Sequence, residues 1–264
     1  MGVLNVTPDS FSDGGRFVDR AAALSHARRL LAEGAGIIDV GGESTRPGAR
    51  PTALDEELER VIPVIEVLRR ESAVFISVDT SKPAVMSAAV AAGADIINDV
   101  RALAEPGALE AAAATGAGIC LMHMQGEPRT MQDAPHYTDV VAEVSAFLAA
   151  RMRACREAGI DASRLVFDPG FGFGKRTIDN LVLLKHLASF EALGVPIAVG
   201  LSRKSLLAKL TGRGVDERLA GSVALAAIAV LHGARIVRAH EVGATVDAVR
   251  VAAAVIKGEP VDGT

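Results

Sequence analysis

Short runs rich in Val and Ile alternate along this chain with longer stretches whose apolar residues return at every third or fourth position, the pattern of repeated strand-helix units. Eight units can be marked, with strands expected at Met1–Val6, Gly36–Gly41, Val74–Asp79, Asp95–Asn98, Gly118–Met122, Leu165–Asp168, Ile197–Gly200 and Arg235–Val237. Helices are expected near Asp19–Glu33, Ala53–Arg70, Pro83–Ala92, Pro106–Thr115, Tyr137–Ala158, Ile178–Leu187, Glu217–His232 and Thr245–Lys257, with a short extra one at Ser202–Leu210. Ser81, just before Pro83, suits a helix cap, and Gly34, Gly93, Gly159 and Gly233 suit helix ends.

Parallel strands joined by helices bury both faces, which accounts for runs such as Gly36-Ile37-Ile38-Asp39-Val40. An open doubly wound sheet would carry a glycine-rich turn after its first strand, and Asn5-Val6-Thr7-Pro8-Asp9 is no such turn. Eight units in 264 residues, close to the roughly 250 typical of the fold, therefore predict an α/β TIM (β/α)8 barrel, one domain over residues 1–264.

The net charge of −4 leaves no basic excess for nucleic acid. No uninterrupted apolar run approaches the ~20 residues that span a bilayer, and Met1 leads into an apolar run without a cationic region, so neither a membrane span nor a secretory signal is expected and a cytoplasmic location is. Cys120 and Cys155 lack metal-type spacing and read as inert thiols.

In a closed barrel the carboxyl ends of the strands share one mouth. Here those positions hold Asn5, Glu43-Ser44-Thr45-Arg46, Asp79, Asn98, His123, Asp168, Ser202-Arg203-Lys204, Arg238 and His240. Any one of them would serve as a polar cap. Together, Asp79, Asn98 and Asp168 at the ends of apolar strands call for a ligand rich in N–H donors, a flat amino-substituted heterocycle. Arg46, Lys204, Arg238 and His240, with Ser202 at a helix start, form a half suited to an anion. Two long loops, 5–15 with Phe11 and 41–48, read as lids. Gly170-Phe171-Gly172-Phe173-Gly174-Lys175 is one residue short of a nucleotide-binding glycine loop and has Arg176 where Ser or Thr should follow. His26, His186 and His232 stand alone on expected helices and read as packing or surface residues.

These residues sit in motifs that resemble the dihydropteroate synthases, a folate-pathway family of pterin-binding enzymes. The motifs are NVTPDSFSDGG at 5–15, GGESTRPG at 41–48, VDTSKP at 78–83, INDV at 97–100, MHMQGEPRTMQ at 122–132, FDPGFGFGK at 167–175, GLSRKS at 200–205 and RAHEV at 238–242. The resemblance implies condensation of 6-hydroxymethyl-7,8-dihydropterin diphosphate with para-aminobenzoate. It implies a pterin pocket of Asp79, Asn98, Asp168 and Lys204, with Met122, Phe173 and Gly200 nearby and Arg238 stacked on the ring. Asn5, Arg238 and His240 would face the diphosphate, with Mg²⁺ on Asn5. Para-aminobenzoate would lie among Phe11, Thr45, Pro47, Phe173 and Ser202, with Arg46 also in the site. Asp79, Lys204, Arg238 and His240 would act in the chemistry.

A homodimer is expected, both from the resemblance and from Gly221–Gly233, which is apolar nearly all round. RAHEV stands in place of the family's more usual RVHDV, and relatives carry residues before the first strand, so that strand is expected to fray or to begin upstream. A folate-dependent methyltransferase barrel is the alternative within enzymes, but it lacks the lysine of SRK and both loop signatures. A catalytically silent pterin-binding paralogue is the alternative outside them.

Overall fold

The computed structural model describes residues 1–7, 16–44, 50–127 and 130–259, without the side chains of 16–19. Among them the strands are β1 (Gly2–Asn5), β2 (Ile37–Gly41), β3 (Phe75–Asp79), β4 (Ile96–Asp99), β5 (Gly118–Met122), β6 (Leu165–Asp168), β7 (Ala198–Gly200) and β8 (Ile236–Arg238). The helices between and after them are α1 (Arg16–Ala32), α2 (Leu54–Glu71), α3 (Pro83–Ala91), α4 (Ala108–Ala113), α5 (Val140–Glu157), α6 (Thr177–Lys185), α7 (Ser205–Thr211), α8 (Leu219–Leu231) and α9 (Val242–Lys257).

β1 to β6 form one parallel sheet in sequence order and β7 pairs with β8. Single parallel bridges, Phe167 with Ile197 and Gly2 with Ala239, join the two pieces at both seams and close the barrel. The expected fraying of the first strand does not occur. β1 pairs with β2 on one side, and on the other the Met1 ammonium donates to Val237 O at 2.9 Å while Val3 N donates to Ala239 O at 3.1 Å.

Strand side chains alternate between two faces. One set, including Leu4, Ile38, Val40, Ile76, Val78, Ile97, Ile119, Leu121, Phe167 and Val199, is fully buried. Its packing onto the surrounding helices fixes where the strands end.

Strand limits agree with the sequence to within a residue or two, whereas several helix starts do not. α5 begins at Val140 because Asp139 caps it, accepting from Val141 N and Ala142 N, and Tyr137 is instead buried with its hydroxyl on Gly174 O at 2.8 Å. α9 begins at Val242, a turn early, and residues 215–217 form a 3-10 turn ahead of α8. Ser81 is not the cap of α3. Lys82 occupies that position, and Ser81 Oγ donates to Asp99 Oδ1 at 2.5 Å. Gly34, Gly93, Gly159 and Gly233 all adopt the left-handed conformation that lets the chain leave a helix.

Phe167 is fully buried on the apolar layer of β6. Phe167→Ala should destabilise the fold by about 3–5 kcal/mol in urea denaturation, and a loss under about 1 kcal/mol would mean that this layer is not tightly packed.

Candidate functional site

The register gathers the polar residues on the other strand face. Asn5 pairs with Gly41, Gly41 with Asp79, Asp79 with Asn98 and Asn98 with Cys120. Farther along, Met122 pairs with Asp168, and Gly200 with Arg238. Asp39 and Ser77, paired with each other, lie two residues before Gly41 and Asp79 and so share their face one layer deeper.

Arg238 joins the layers. Its Nε donates to Asp39 Oδ2 at 2.6 Å and its Nη2 to Asp79 Oδ2 at 2.9 Å, while Asn98 Nδ2 donates to the same Asp39 oxygen at 3.2 Å. Asp39 is wholly buried. Its Oδ1 and Ser77 Oγ are the buried side-chain oxygens without a hydrogen-bond partner among the described residues. Two carboxylates therefore share one guanidinium. Burial pushes the Asp79 carboxyl up to about 7, the negative charges of Asp39, Asp99 and Glu57 push the same way, and Arg238 opposes them. Burial also raises Asp168, against a hydrogen bond from Gly170 N at 2.7 Å and the nearby cations.

Lys204 lies across this group, its Nζ 4.1 Å from the centre of the Phe173 ring. Burial and Arg238 lower it to about 8, with Asp168 and Asp79 opposing. Beside it, Ser202 Oγ lies 2.9 Å from His240 Nδ1 and donates to Glu241 Oε2 at 3.3 Å. Arg203 between them has φ of 58°, and α8 holds that turn: Ser222 Oγ accepts from Arg203 N at 3.0 Å, and Arg218 donates to Arg203 O at 2.9 Å.

The structure thus brings Asn5, Asp79, Asn98, Met122, Asp168, Gly200, Lys204 and Arg238 to one mouth, with Ser202, His240 and Phe173 at its edge. Phe11, Thr45, Arg46 and Pro47, with most of the first proposed lid and half of the second, lie outside the described residues.

Four readings need correction. Burial and the charge of Arg238 lower His240 to about 4, so it is neutral at pH 7 and not one of the site's standing cations. Ser202 does not begin a helix, since α7 starts at Ser205 with Lys204 in the capping position. Glu43 turns from the mouth to Lys82, which also pairs with the buried Glu57, and Thr80 donates to Glu57 at 2.6 Å. His123 lies under the loop 170–175, bonded to Lys175.

Asp39 was missed because it sits inside an apolar run; its one sequence signal is a charge two residues before the strand's end, on the face that carries the site. Cys120 and Cys155 are buried, free thiols, as expected.

Among the described residues no group of three or more His, Cys, Asp or Glu could hold a metal ion. Asn5 offers one neutral oxygen near Asp79, a Cβ built on Gly41 lying 3.7 Å from Asn5 Oδ1 and from Asp79 Oδ2. That donor set fits an ion such as Mg²⁺ that keeps most of its waters and takes few protein ligands.

Residues 1–240 match the family model of pterin binding enzymes. The dihydropteroate synthase of Escherichia coli K12 is 53% identical over 259 residues, covering 98% of this chain and 92% of the relative. The chain belongs to the dihydropteroate synthases. Among solved members of the family, the Xanthomonas albilineans synthase with 4-aminobenzoic acid superposes with a TM-score of 0.92 at 56% identity, over 97% of this chain and 92% of that one. The same organism's enzyme in complex with 7,8-dihydropteroate gives 0.89 at 53% identity, again over 97% and 92%. The family assignment made from the motifs is thereby shown, and the eight-stranded barrel is the architecture of the synthases.

Asp39→Asn removes one of the two carboxylates on Arg238 and leaves the guanidinium to Asp79 alone. The Asp79 carboxyl should then titrate at lower pH, read from its ¹³Cγ chemical shift; an unchanged midpoint would mean that the two carboxyls are not linked.

Proposed function

We propose that this synthase condenses 6-hydroxymethyl-7,8-dihydropterin diphosphate with para-aminobenzoate, and that residues 1–264 serve as one pterin-binding barrel. The convergence of Asp79, Asn98, Asp168, Lys204 and Arg238 on one mouth carries the reading. A pterin edge presents N–H donors beside a carbonyl and ring nitrogens. Asp168 and Asp39 Oδ1 would accept from the first, and Lys204 would donate to the second. Arg238, held flat by its two carboxylates, would stack on the ring.

The diphosphate would lie toward Asn5, Arg238 and His240, where an approaching anion favours protonation of His240. Asn5 would hold Mg²⁺, which when bound neutralises the departing pyrophosphate. Para-aminobenzoate would pack between Phe173 and the residues Phe11, Thr45 and Pro47, with Arg46 close by and its carboxylate beside Ser202.

An aniline nitrogen is a weak nucleophile, so the bond from the pterin CH₂ to the diphosphate oxygen breaks first, its electron pair leaving with pyrophosphate. Asp79, as carboxylate, stabilises the pterin cation through a field held in place before the reaction. The amine then forms the C–N bond and loses a proton to solvent. The folate-dependent methyltransferase is disfavoured by Lys204 lying within the site, and a silent paralogue by the presence of every described site position.

The apolar side chains of Leu219, Ile228 and Leu231 on α8, and Val251, Val255 and Ile256 on α9, face outward. They support a homodimer through these helices. No helix among the described residues is long and apolar enough to cross a membrane, and the proposed site of action is the cytoplasm.

Steady-state assays that follow dihydropteroate and pyrophosphate test the chemistry. Product should require both substrates. Asp79→Asn should lower kcat about 100-fold or more with less than about tenfold change in pterin affinity, and equal losses in both would remove Asp79 from the chemistry. Because Asp79 must be ionised and Lys204 protonated, kcat/KM should rise through about pH 7 and fall above about pH 8. A flat profile from pH 6 to 9 would contradict these assignments. Sedimentation at micromolar concentration should give a dimer; a monomer would contradict the proposed interface.

A further inference from the structure

Lys175 closes the glycine-rich stretch that was set aside as a nucleotide loop, and it is 3% exposed. A lysine so deeply buried needs a partner for every proton it carries. Its Nζ lies 2.9 Å from His123 Nδ1, 2.9 Å from Gly170 O and 3.1 Å from Phe173 O, with His123 O farther off at 3.3 Å. Three short contacts match the three protons of an ammonium; burial brings Lys175 down to about 7, against the charges of Asp168 and Asp179, and these acceptors are what the protonated form needs to persist there. Burial and the charge of Lys175 hold the His123 imidazole neutral, at about 3, leaving Nδ1 free to accept.

The loop is pressed against the chain that follows β5. A Cβ on Gly170 would lie 1.8 Å from His123 O, and one on Gly174 2.2 Å from Gln125 O, so only glycine permits the approach. Phe173 N donates to Gly170 O at 3.1 Å, closing a turn across the two carbonyls that Lys175 grips. The other side of that turn meets the mouth. The Phe173 ring lies beneath Lys204 Nζ at 4.1 Å, and a Cβ on Gly172 would lie 3.1 Å from Lys204 Cδ. Lys204 thus rests on a platform whose height is set from below by a second lysine.

We propose that Lys175 is a positioning residue for catalysis, its ammonium fixing the 170–173 turn so that the Phe173 ring sits where it supports Lys204 and the arylamine. This rests on the proposed placement of para-aminobenzoate against Phe173. Lys175 touches neither substrate. Its role differs from that of the loop's other ties, among them Asn180 Oδ1 on Gly172 N at 2.7 Å, Gln132 Nε2 on Gly172 O at 2.6 Å, the Tyr137 hydroxyl on Gly174 O at 2.8 Å and Gly170 N on Asp168 Oδ1 at 2.7 Å, which leave the Phe173 carbonyl unheld.

Lys175→Met keeps an unbranched stem as far as Cε and removes the Nζ donors. It should raise the KM for para-aminobenzoate about tenfold or more while kcat falls by less than about threefold. The chain has no tryptophan and one tyrosine, so Phe173→Trp introduces a single tryptophan at the platform, which can be excited selectively over Tyr137. Adding Lys175→Met to that variant should shift its emission to the red and increase quenching by iodide. An unchanged KM, or a loss confined to kcat, overturns the proposal, as does identical emission in the two tryptophan variants. If Lys175→Met does not fold, as judged by circular dichroism, Lys175→Gln is measured in its place against the same criteria. Absence of turnover in the unaltered chain would overturn the proposed reaction instead, and the fluorescence comparison would still decide whether Lys175 holds the loop.

Discussion

One guanidinium bound to two carboxylates organises this barrel's mouth. Arg238 reaches from β8 to Asp39 and Asp79 on β2 and β3, tying the last strand to the second and third through side chains where the backbone does so only by way of β1. Buried ion pairs seldom add stability, because desolvation of the charges offsets their attraction. What the arrangement supplies is position and charge. With one cation between two acids, a further proton or a ligand N–H is welcome, and the high titration of Asp79 follows first from burial and then from that shortage of positive charge.

The barrel tolerates such a polar interior because its other layer is so apolar. Barrels of this kind usually fill their interior with branched aliphatic side chains, whereas here the inward positions toward the mouth carry Asn5, Asp39, Asp79, Asn98 and Asp168. The unbroken shell of Ile, Val, Leu and Phe between strands and helices holds the strand ends in place. The loops are then free to vary, while groups that must stay within hydrogen-bonding distance are anchored on strands.

Strands and strand-end residues were legible in the sequence because apolar runs and the polar residues that stop them are local signals. Helix starts were less so. Tyr137 looked helical by its spacing, but Asp139 supplies the cap and the tyrosine is drawn to Gly174 by the loop that folds over it. The charge of His240 and the part played by Lys175 are products of burial, and no single sequence states how deeply a side chain will lie. Asp39 was hidden for the opposite reason: its neighbours are so apolar that a strand buried on both faces seemed a sufficient account, and only the register shows that its partner is Ser77 and its cation lies 199 residues away.

The two seams of the barrel have a mechanical meaning. β7 and β8 make a two-stranded piece joined to the other six strands by one bridge on each side, and this piece carries Gly200 and Arg238 and leads into the Ser202–Lys204 turn and His240. Elastic resistance to a small shift is lowest where the fewest backbone bonds must stretch. At the seam beside β1, Arg238 adds two ion pairs that cross from β8 to β2 and β3, so the residue that charges the mouth also stitches the barrel shut.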